Sequence, residues 1–192
     1  MSERPGRRRS ERSHDAILRA TQDLLVERGY PGVSIEGIAA RAGVGKQTIY
    51  RWWGSKAALV LEAYLTAEDA VAHPAATGST RADVCALLRW LVAVLVRPTG
   101  GPVVAGLVAE LPHDADLALG FRREVVPARR HAMLAALERG RARGEICRDA
   151  DLEVVVDELH GAVFYRLLLS GEPLDDAFVE RLADQVLAGV AA

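Results

Sequence analysis

The segment 43–59, GVGKQTIYRWWGSKAAL, concentrates hydrogen-bonding and cationic side chains in little more than one short helix. Residues three or four apart share a helix face, so only about half of these side chains can turn towards a core. Ile49 and Trp53 lie four apart and are expected to pack inward, together with Val44. The outward side is then expected to carry Lys46, Gln47, Thr48, Tyr50, Arg51 and Trp52, with Lys56 just beyond the helix.

This outward set has the chemistry that reads DNA. Ammonium, hydroxyl and phenol groups bind phosphates and fix the register on a duplex, whereas amide and guanidinium groups such as those of Gln47 and Arg51 read base edges in the major groove. A short solvated helix, with Tyr50 and Trp52 covered by neighbouring elements, is the alternative that this segment alone leaves open.

Patterns typical of enzymes and metal sites do not occur in the sequence. The histidines do not pair at metal-ligand spacing, and there is no H-E-x-x-H, G-x-S-x-G, glycine-rich phosphate loop or cysteine cluster. The segment HDAD, 113–116, joins a histidine to two aspartates, but an aspartate-rich loop more often caps a helix. We therefore expect no catalysis, no metal and no cofactor.

The elements that must position the outward set are helices with recognisable ends. The first is predicted to run from an N-cap at Ser13 to a stop at Gly29, and the second to follow an N-cap at Ser34. Gly43 can adopt the left-handed backbone that a sharp reversal into the third helix requires. A helix, a short glycine turn and a second short helix form the helix-turn-helix pattern.

The rest of the chain is also predicted to be helical. Ser55 is the expected N-cap of a fourth helix, and Pro127 is expected to kink or restart a long one. No alternating strand pattern is present, so the predicted fold is all-α with about nine helices. The helices after the third are predicted at 55–70, 81–96, 103–111, 115–143, 152–170 and 175–190.

Charge separates the first quarter of the chain from the rest. Residues 1–56 carry eleven Lys/Arg and six Asp/Glu, whereas residues 57–192 carry thirteen and twenty. A basic part joined to an acidic one suggests that the first part meets a polyanion. No apolar run of about eighteen residues predicts a membrane span, and no secretory signal is recognised. Cys85 and Cys147 are expected to be reduced, which favours the cytoplasm.

The segment 13–64 closely resembles the N-terminal domain of TetR-family transcriptional regulators. It matches, in order, an apolar helix ending in Gly-Tyr, a Ser before Ile, and the runs IAARAGV, KQTIY and SKAAL. The resemblance implies a helix-turn-helix DNA-binding domain at 13–56 and a ligand-binding and dimerisation domain at 57–192. Residues 1–12 are then expected to form a disordered basic arm.

The resemblance also implies roles for individual residues. Gln47 stands where a small residue is common and is a candidate base reader, and Trp52 stands where His or Tyr is usual, with an indole N–H that can still donate. The basic arm either reaches an adjacent groove or phosphates, or is a solubilising tail; its arginines are Arg4, Arg7, Arg8 and Arg9. The positions that match DNA-contacting residues of the family are Ser34, Lys46, Thr48, Tyr50 and Lys56.

For the C-terminal domain, the resemblance implies dimerisation through the last two helices and a ligand pocket among the middle ones. The helix at 152–170 is apolar over more than one face, as expected when a helix packs on its own core and on a partner. The predicted dimer interface comprises Leu152, Val156, Leu159, Val163, Leu167, Phe178, Leu182 and Val186. The candidate pocket residues, each of a kind that more often belongs to an ordinary core, are Trp90, Phe121, Met133, His160 and Tyr165.

Together these features predict a sequence-specific DNA-binding transcriptional regulator, a ligand-responsive repressor. One helix-turn-helix reads one half-site, so a palindromic operator of double-stranded DNA requires a homodimer. A small-molecule effector of unknown identity is expected to favour a dimer with mis-spaced reading helices. The alternative is a helical module that binds a small molecule or a protein without binding an operator.

Overall fold

The computed structural model describes residues 5–68, 74–97 and 100–192, and their contacts form two compact units. Unit 1 contains the described residues up to 68 together with 100–121, and unit 2 contains 74–97 and 122–192. The functional boundary predicted after residue 56 stays a prediction. By their contacts, the helices at 56–68, 101–110 and 115–120 belong to the same compact unit as the N-terminal helices.

Unit 1 is built from six α-helices among its described residues. A 3-10 turn, Tyr30–Gly32, connects the first helix to the second. The helices are α1 (Pro5–Arg28), α2 (Ile35–Ala42), α3 (Lys46–Tyr50), α4 (Lys56–Glu68), α6 (Gly101–Glu110) and α7 (Ala115–Gly120).

Unit 2 contains four α-helices in its described part. A π-helical turn, Phe121–Val125, follows α7 and leads directly into the next helix, so the helix predicted at 115–143 is a continuous helical run. Counted in this way, the described residues contain nine helices, as predicted. A second π-helical turn, Arg166–Ser170, extends α9. The helices are α5 (Thr80–Leu95), α8 (Val126–Ala142), α9 (Leu152–Tyr165) and α10 (Asp176–Ala188).

The all-α fold class is confirmed across the described ranges. Their only β-type pairing is one isolated antiparallel bridge between Ile146 and Ala191. No helix within these ranges is long and apolar enough to cross a membrane.

The predicted start of α1 at Ser13 was wrong, and with it the expectation that the whole arm 1–12 is disordered. The helix begins at Pro5. Proline is well suited to the first turn of a helix, where its missing N–H costs nothing, and after Gly6 the run of Arg, Ser and Glu contains no helix breaker. A helical start at Pro5 therefore overrides the capping signal at Ser13.

The other helix ends follow the predicted local signals. The Ser34 Oγ accepts a hydrogen bond from the Gly37 amide at 3.1 Å, and the Ser55 Oγ accepts one from Ala58 at 3.1 Å. Asp114, from the HDAD segment, caps α7 by accepting from the Leu117 amide at 2.9 Å. Gly43 ends α2 in the left-handed conformation, with φ 65°.

The core of unit 2 lies between α5, α8, α9 and α10. Leu88, Met133 and Leu159 are among its fully buried side chains. On the surface, ion pairs tie α5 to α10: Arg81 lies 2.6 Å from Asp184, and Arg89 reaches both Asp176 and Glu180.

Candidate nucleic-acid interface

The inward side of α3 is anchored as predicted. Ile49 and Trp53 are buried, so these two side chains hold the short helix against the rest of unit 1. The Trp53 indole Nε1 donates to the Glu62 carboxylate at 2.7 Å, and the His14 Nε2 lies 3.1 Å from the same carboxylate. The His14 ring stacks on Trp53 with centroids 4.8 Å apart. One carboxylate on α4 thus fixes the end of α3 to α1, a link that sequence reasoning missed.

The outward side of α3 is open to solvent, which excludes the alternative that its aromatic residues are covered by neighbours within the described structure. Tyr50 is 54% exposed and Trp52 is 43% exposed. Gln47 and Arg51 are exposed beside them, and Thr48 is half-buried.

Ser34 lies exposed at the start of α2 and caps that helix. Its oxygen accepts the hydrogen bond from the Gly37 amide, so its own O–H is left to donate outward. The first turn of α2 also presents the positive end of the helix dipole. A hydroxyl donor at such a helix start suits a phosphate oxygen.

Lys46 is paired in a way that the sequence did not reveal. Its Nζ lies 2.9 Å from the Glu36 carboxylate, across from α3 to α2. This hydrogen bond lowers the pKa of Glu36 and raises that of Lys46. Both side chains are more than half exposed, so Lys46 can exchange the carboxylate for a phosphate at small cost.

Lys56, the first residue of α4, contacts Tyr30. Its Nζ lies 4.1 Å from the centroid of the Tyr30 ring and donates to the Tyr30 carbonyl at 3.5 Å. Tyr30 was not among the predicted site residues, although the Gly-Tyr pair at the end of the first helix marks its position. The predicted arm arginines Arg4, Arg7, Arg8 and Arg9 lie outside the residues whose side chains are described.

The predicted ligand pocket is brought together only in part. In unit 2, a cavity of about 10 Å³, room for about one water molecule, is lined by Leu87, Trp90, Leu91, Arg129, Ala132, Met133 and His160. Burial lowers the pKa of His160 to about 4, with a further contribution from Arg129 and Arg130. Tyr165 and Phe121 are not among its lining residues. Tyr165 lies five positions after His160 and is 59% exposed, and Phe121 is buried in unit 1.

Much of the predicted dimer interface is instead own-chain core. In the single chain, Val156, Leu159 and Val163 are fully buried inside unit 2, and Leu152 and Phe178 are nearly so. The physical reason is that α9 packs this stripe on α8 and α10 of its own chain. The three half-buried members of the prediction are Leu167, Leu182 and Val186.

The exposed apolar side chains of α9 and its π-helical extension lie on the face of the helix opposite the buried stripe. Tyr165 is 59% exposed and Leu169 is 76% exposed, and Val154 lies open three turns before Tyr165. These three residues form what we call the outer face of α9.

The fold and the α2–α3 surface define an all-α helix-turn-helix protein. Comparison with known proteins narrows this class. Residues 17–63 match the family described as bacterial regulatory proteins, tetR family, and residues 74–186 match the tetracyclin repressor-like C-terminal domain.

Individual relatives agree over almost the whole chain. The Bacillus subtilis HTH-type transcriptional regulator YdeS is 37% identical over 100% of this chain and 96% of its own length. The DNA-binding transcriptional repressor TetR of Mycobacteroides abscessus is 36% identical over 93% of this chain and 94% of its own. A crystal structure of the TetR family transcription regulator SCO0332 superposes with a TM-score of 0.77 at 40% identity, over 94% of this chain and 99% of that one.

The chain belongs to the TetR family and is a DNA-binding transcriptional regulator. The family is one of regulators and not of enzymes, in line with the sequence prediction.

Proposed function

We propose that the protein is a ligand-responsive repressor that binds a palindromic operator as a homodimer. The observation that carries the DNA-binding surface is the division of α3 into two sides. Ile49 is buried on one side of α3, whereas Gln47 and Tyr50 are exposed on the other, and Trp52 is exposed just beyond the end of the helix. The name of the M. abscessus relative supports repression as the outcome of binding.

The exposed groups divide into positioning and reading roles. Lys46, Lys56 and the Ser34 hydroxyl bind phosphates from three different helix starts, which fixes the protein on the duplex. Gln47 and Arg51 carry the amide and guanidinium that discriminate base edges in the major groove. Thr48, Tyr50 and Trp52 supply further hydroxyl and N–H donors to the backbone of the DNA.

Dimerisation is proposed to use the outer face of α9 in place of the buried stripe. Two copies of Tyr165 and Leu169 would cover each other about a two-fold axis, as a self-complementary interface requires. The half-buried residues Leu167, Leu182 and Val186 are proposed to lie at its margin. Such a dimer presents two α3 helices to half-sites one helical turn apart.

The effector is proposed to enter unit 2 between α5, α8 and α9, where the cavity of about 10 Å³ has room for about one water molecule and must widen to admit it. Trp90 and Met133 give it apolar walls, and His160 is neutral at physiological pH because of its lowered pKa. These walls suit an apolar or amphipathic small molecule. Binding of such a molecule is proposed to favour the conformation that does not fit the operator, by a coupling of about 1–3 kcal/mol.

Selection of bound duplexes from a random DNA library, with purified protein at fixed salt, tests this function. We expect an inverted repeat with half-sites about one turn apart. The variant Gln47→Ala should select a motif altered at one position of each half-site, whereas Tyr50→Ala should select the unchanged motif with lower affinity. Recovery of no motif by folded, dimeric protein would instead support a helical binding module.

A further inference from the structure

The contact between Lys56 and Tyr30 connects a DNA-facing lysine to the interior of unit 1. The Lys56 ammonium lies 4.1 Å above the centroid of the Tyr30 ring, and it also donates to the Tyr30 carbonyl at 3.5 Å. A cation over an aromatic face is attracted by the negative charge of that face. The position of the ring therefore sets the position of the ammonium.

Tyr30 is in turn held by α6. Its side chain is only 5% exposed, and the ring packs directly on Gly106. A Cβ added at Gly106 would lie 2.5 Å from both Cγ and Cδ1 of Tyr30, closer than real Cβ atoms come to a neighbour. The absence of a side chain at residue 106 thus allows the ring to lie where it does.

The Tyr30 ring is fixed by packing and not by its hydroxyl. The Oη is buried and has no hydrogen-bond partner among the described residues. Burial, with the nearby carboxylates of Glu110 and Asp114, raises the pKa of Tyr30 to about 12, so the hydroxyl stays neutral. Lys56 lies over the face of the ring, and Gly106 lies against its Cβ, Cγ and Cδ1 atoms, at the end away from the hydroxyl.

We propose that Gly106 and Tyr30 are positioning residues for DNA binding: Gly106 places the Tyr30 ring, and the ring places the Lys56 ammonium for its phosphate contact. This inference rests on the phosphate contact proposed for Lys56 above. A displacement of α6 at residue 106 therefore changes a DNA contact from inside unit 1, without any change on the DNA-facing surface.

A double-mutant cycle on DNA binding tests this link. The affinities of Lys56→Ala, Tyr30→Leu and the double variant are measured against salt, on the selected duplex and on a random-sequence duplex. We expect each single variant to lose about tenfold in affinity, with a salt slope lower by about one per half-site. The double variant should bind no more weakly than Lys56→Ala alone, because both changes remove the same contact.

Two further comparisons separate positioning from general damage to the fold. Tyr30→Phe keeps the ring and should bind DNA with the affinity and salt slope of the unchanged protein. Gly106→Ala should lower the affinity for DNA and the salt slope, but it should lower neither any further when combined with Lys56→Ala. Ala109→Ser, which also adds one non-hydrogen atom to α6 but at an exposed position, should have neither effect.

The outcomes distinguish the two proposals. Unchanged affinity and slope in Lys56→Ala would show that the phosphate contact itself is wrong. If Lys56→Ala weakens binding and Tyr30→Leu weakens it further by an independent factor, the phosphate contact stands and the positioning role is overturned. Thermal unfolding and sedimentation of every variant precede the binding measurements, and Gly106→Ala decides the matter if Tyr30→Leu does not fold.

Discussion

On the surface proposed to bind DNA, Glu36 competes with phosphate for Lys46. Its carboxylate pairs with Lys46 at 2.9 Å, so the proposed phosphate contact would replace this pair and bring an acid close to a polyanion. Glu36→Gln removes the competing charge and frees Lys46. We expect affinity for duplex DNA of any sequence to rise by about two- to tenfold, with a steeper dependence on salt.

A matched control for this prediction is Glu27→Gln. Glu27 also holds an exposed ion pair within unit 1, with Arg41 of α2 at 2.5 Å, but it does not contact Lys46. Fluorescence anisotropy of a labelled duplex at several salt concentrations gives both affinity and slope. An increase shared equally by the two variants would mean that the effect is one of net charge and not of the Lys46 pair.

The stability of the protein should depend on pH through His160. Burial, together with Arg129 and Arg130, lowers the pKa of His160 from its ordinary value of 6.5 to about 4, while Asp157 acts in the opposite direction. Between about pH 6.5 and pH 4 the unfolded chain therefore binds a proton here that the folded protein does not, and stability falls as pH falls. Above about pH 6.5 His160 is neutral in both the folded and the unfolded protein, and this loss of stability is absent.

Urea unfolding at pH 7.5 and pH 5 measures this contribution. His160→Gln cannot take up the proton, so the loss of stability between the two pH values should be smaller than in the unchanged protein. His131→Gln, at an exposed position of α8, is the control. An equal pH dependence of all three proteins would contradict the assignment.

At the scale of elements, the reversal between α2 and α3 depends on one backbone conformation. Gly43 has φ 65°, and a Cβ added there would meet nothing within 4 Å, so the cost of Gly43→Ala is purely conformational. We expect a loss of about 1 kcal/mol in the free energy of unfolding. Gly54→Ala, also with open space but without positive φ, should be nearly neutral. Thermal unfolding of both variants makes the comparison, and equal stabilities would contradict it.

The elements show what a sequence can predict and what it cannot. The caps at Ser34 and Ser55 and the turn at Gly43 were predictable because each depends on neighbours within four residues. The start of α1 was not, because Ser13 gives a cap signal that the residues before it override.

Side-chain pairs between elements were beyond prediction for a different reason. The contacts of Tyr30 with Lys56 and with Gly106 join residues that are far apart in the chain. No local sequence pattern encodes such contacts. In α9, the periodicity correctly identified an apolar stripe at Val156, Leu159 and Val163. It could not tell whether the stripe faces the chain's own core or a partner, since both bury apolar area equally.

At the scale of the whole molecule, the outer face of α9 should control both association and operator binding. Tyr165→Glu combined with Leu169→Glu places charge on the most exposed apolar residues of this face and should convert the dimer to monomers without unfolding unit 2. Val26→Glu, at another exposed apolar position on α1, is the control.

Because two linked reading helices gain affinity from effective concentration, the monomer should bind a full palindrome about a hundredfold or more weakly, while its affinity for a single half-site is unchanged. Sedimentation and binding to both duplexes measure the two effects, and a dimer that persists in the double variant would move the interface to another surface.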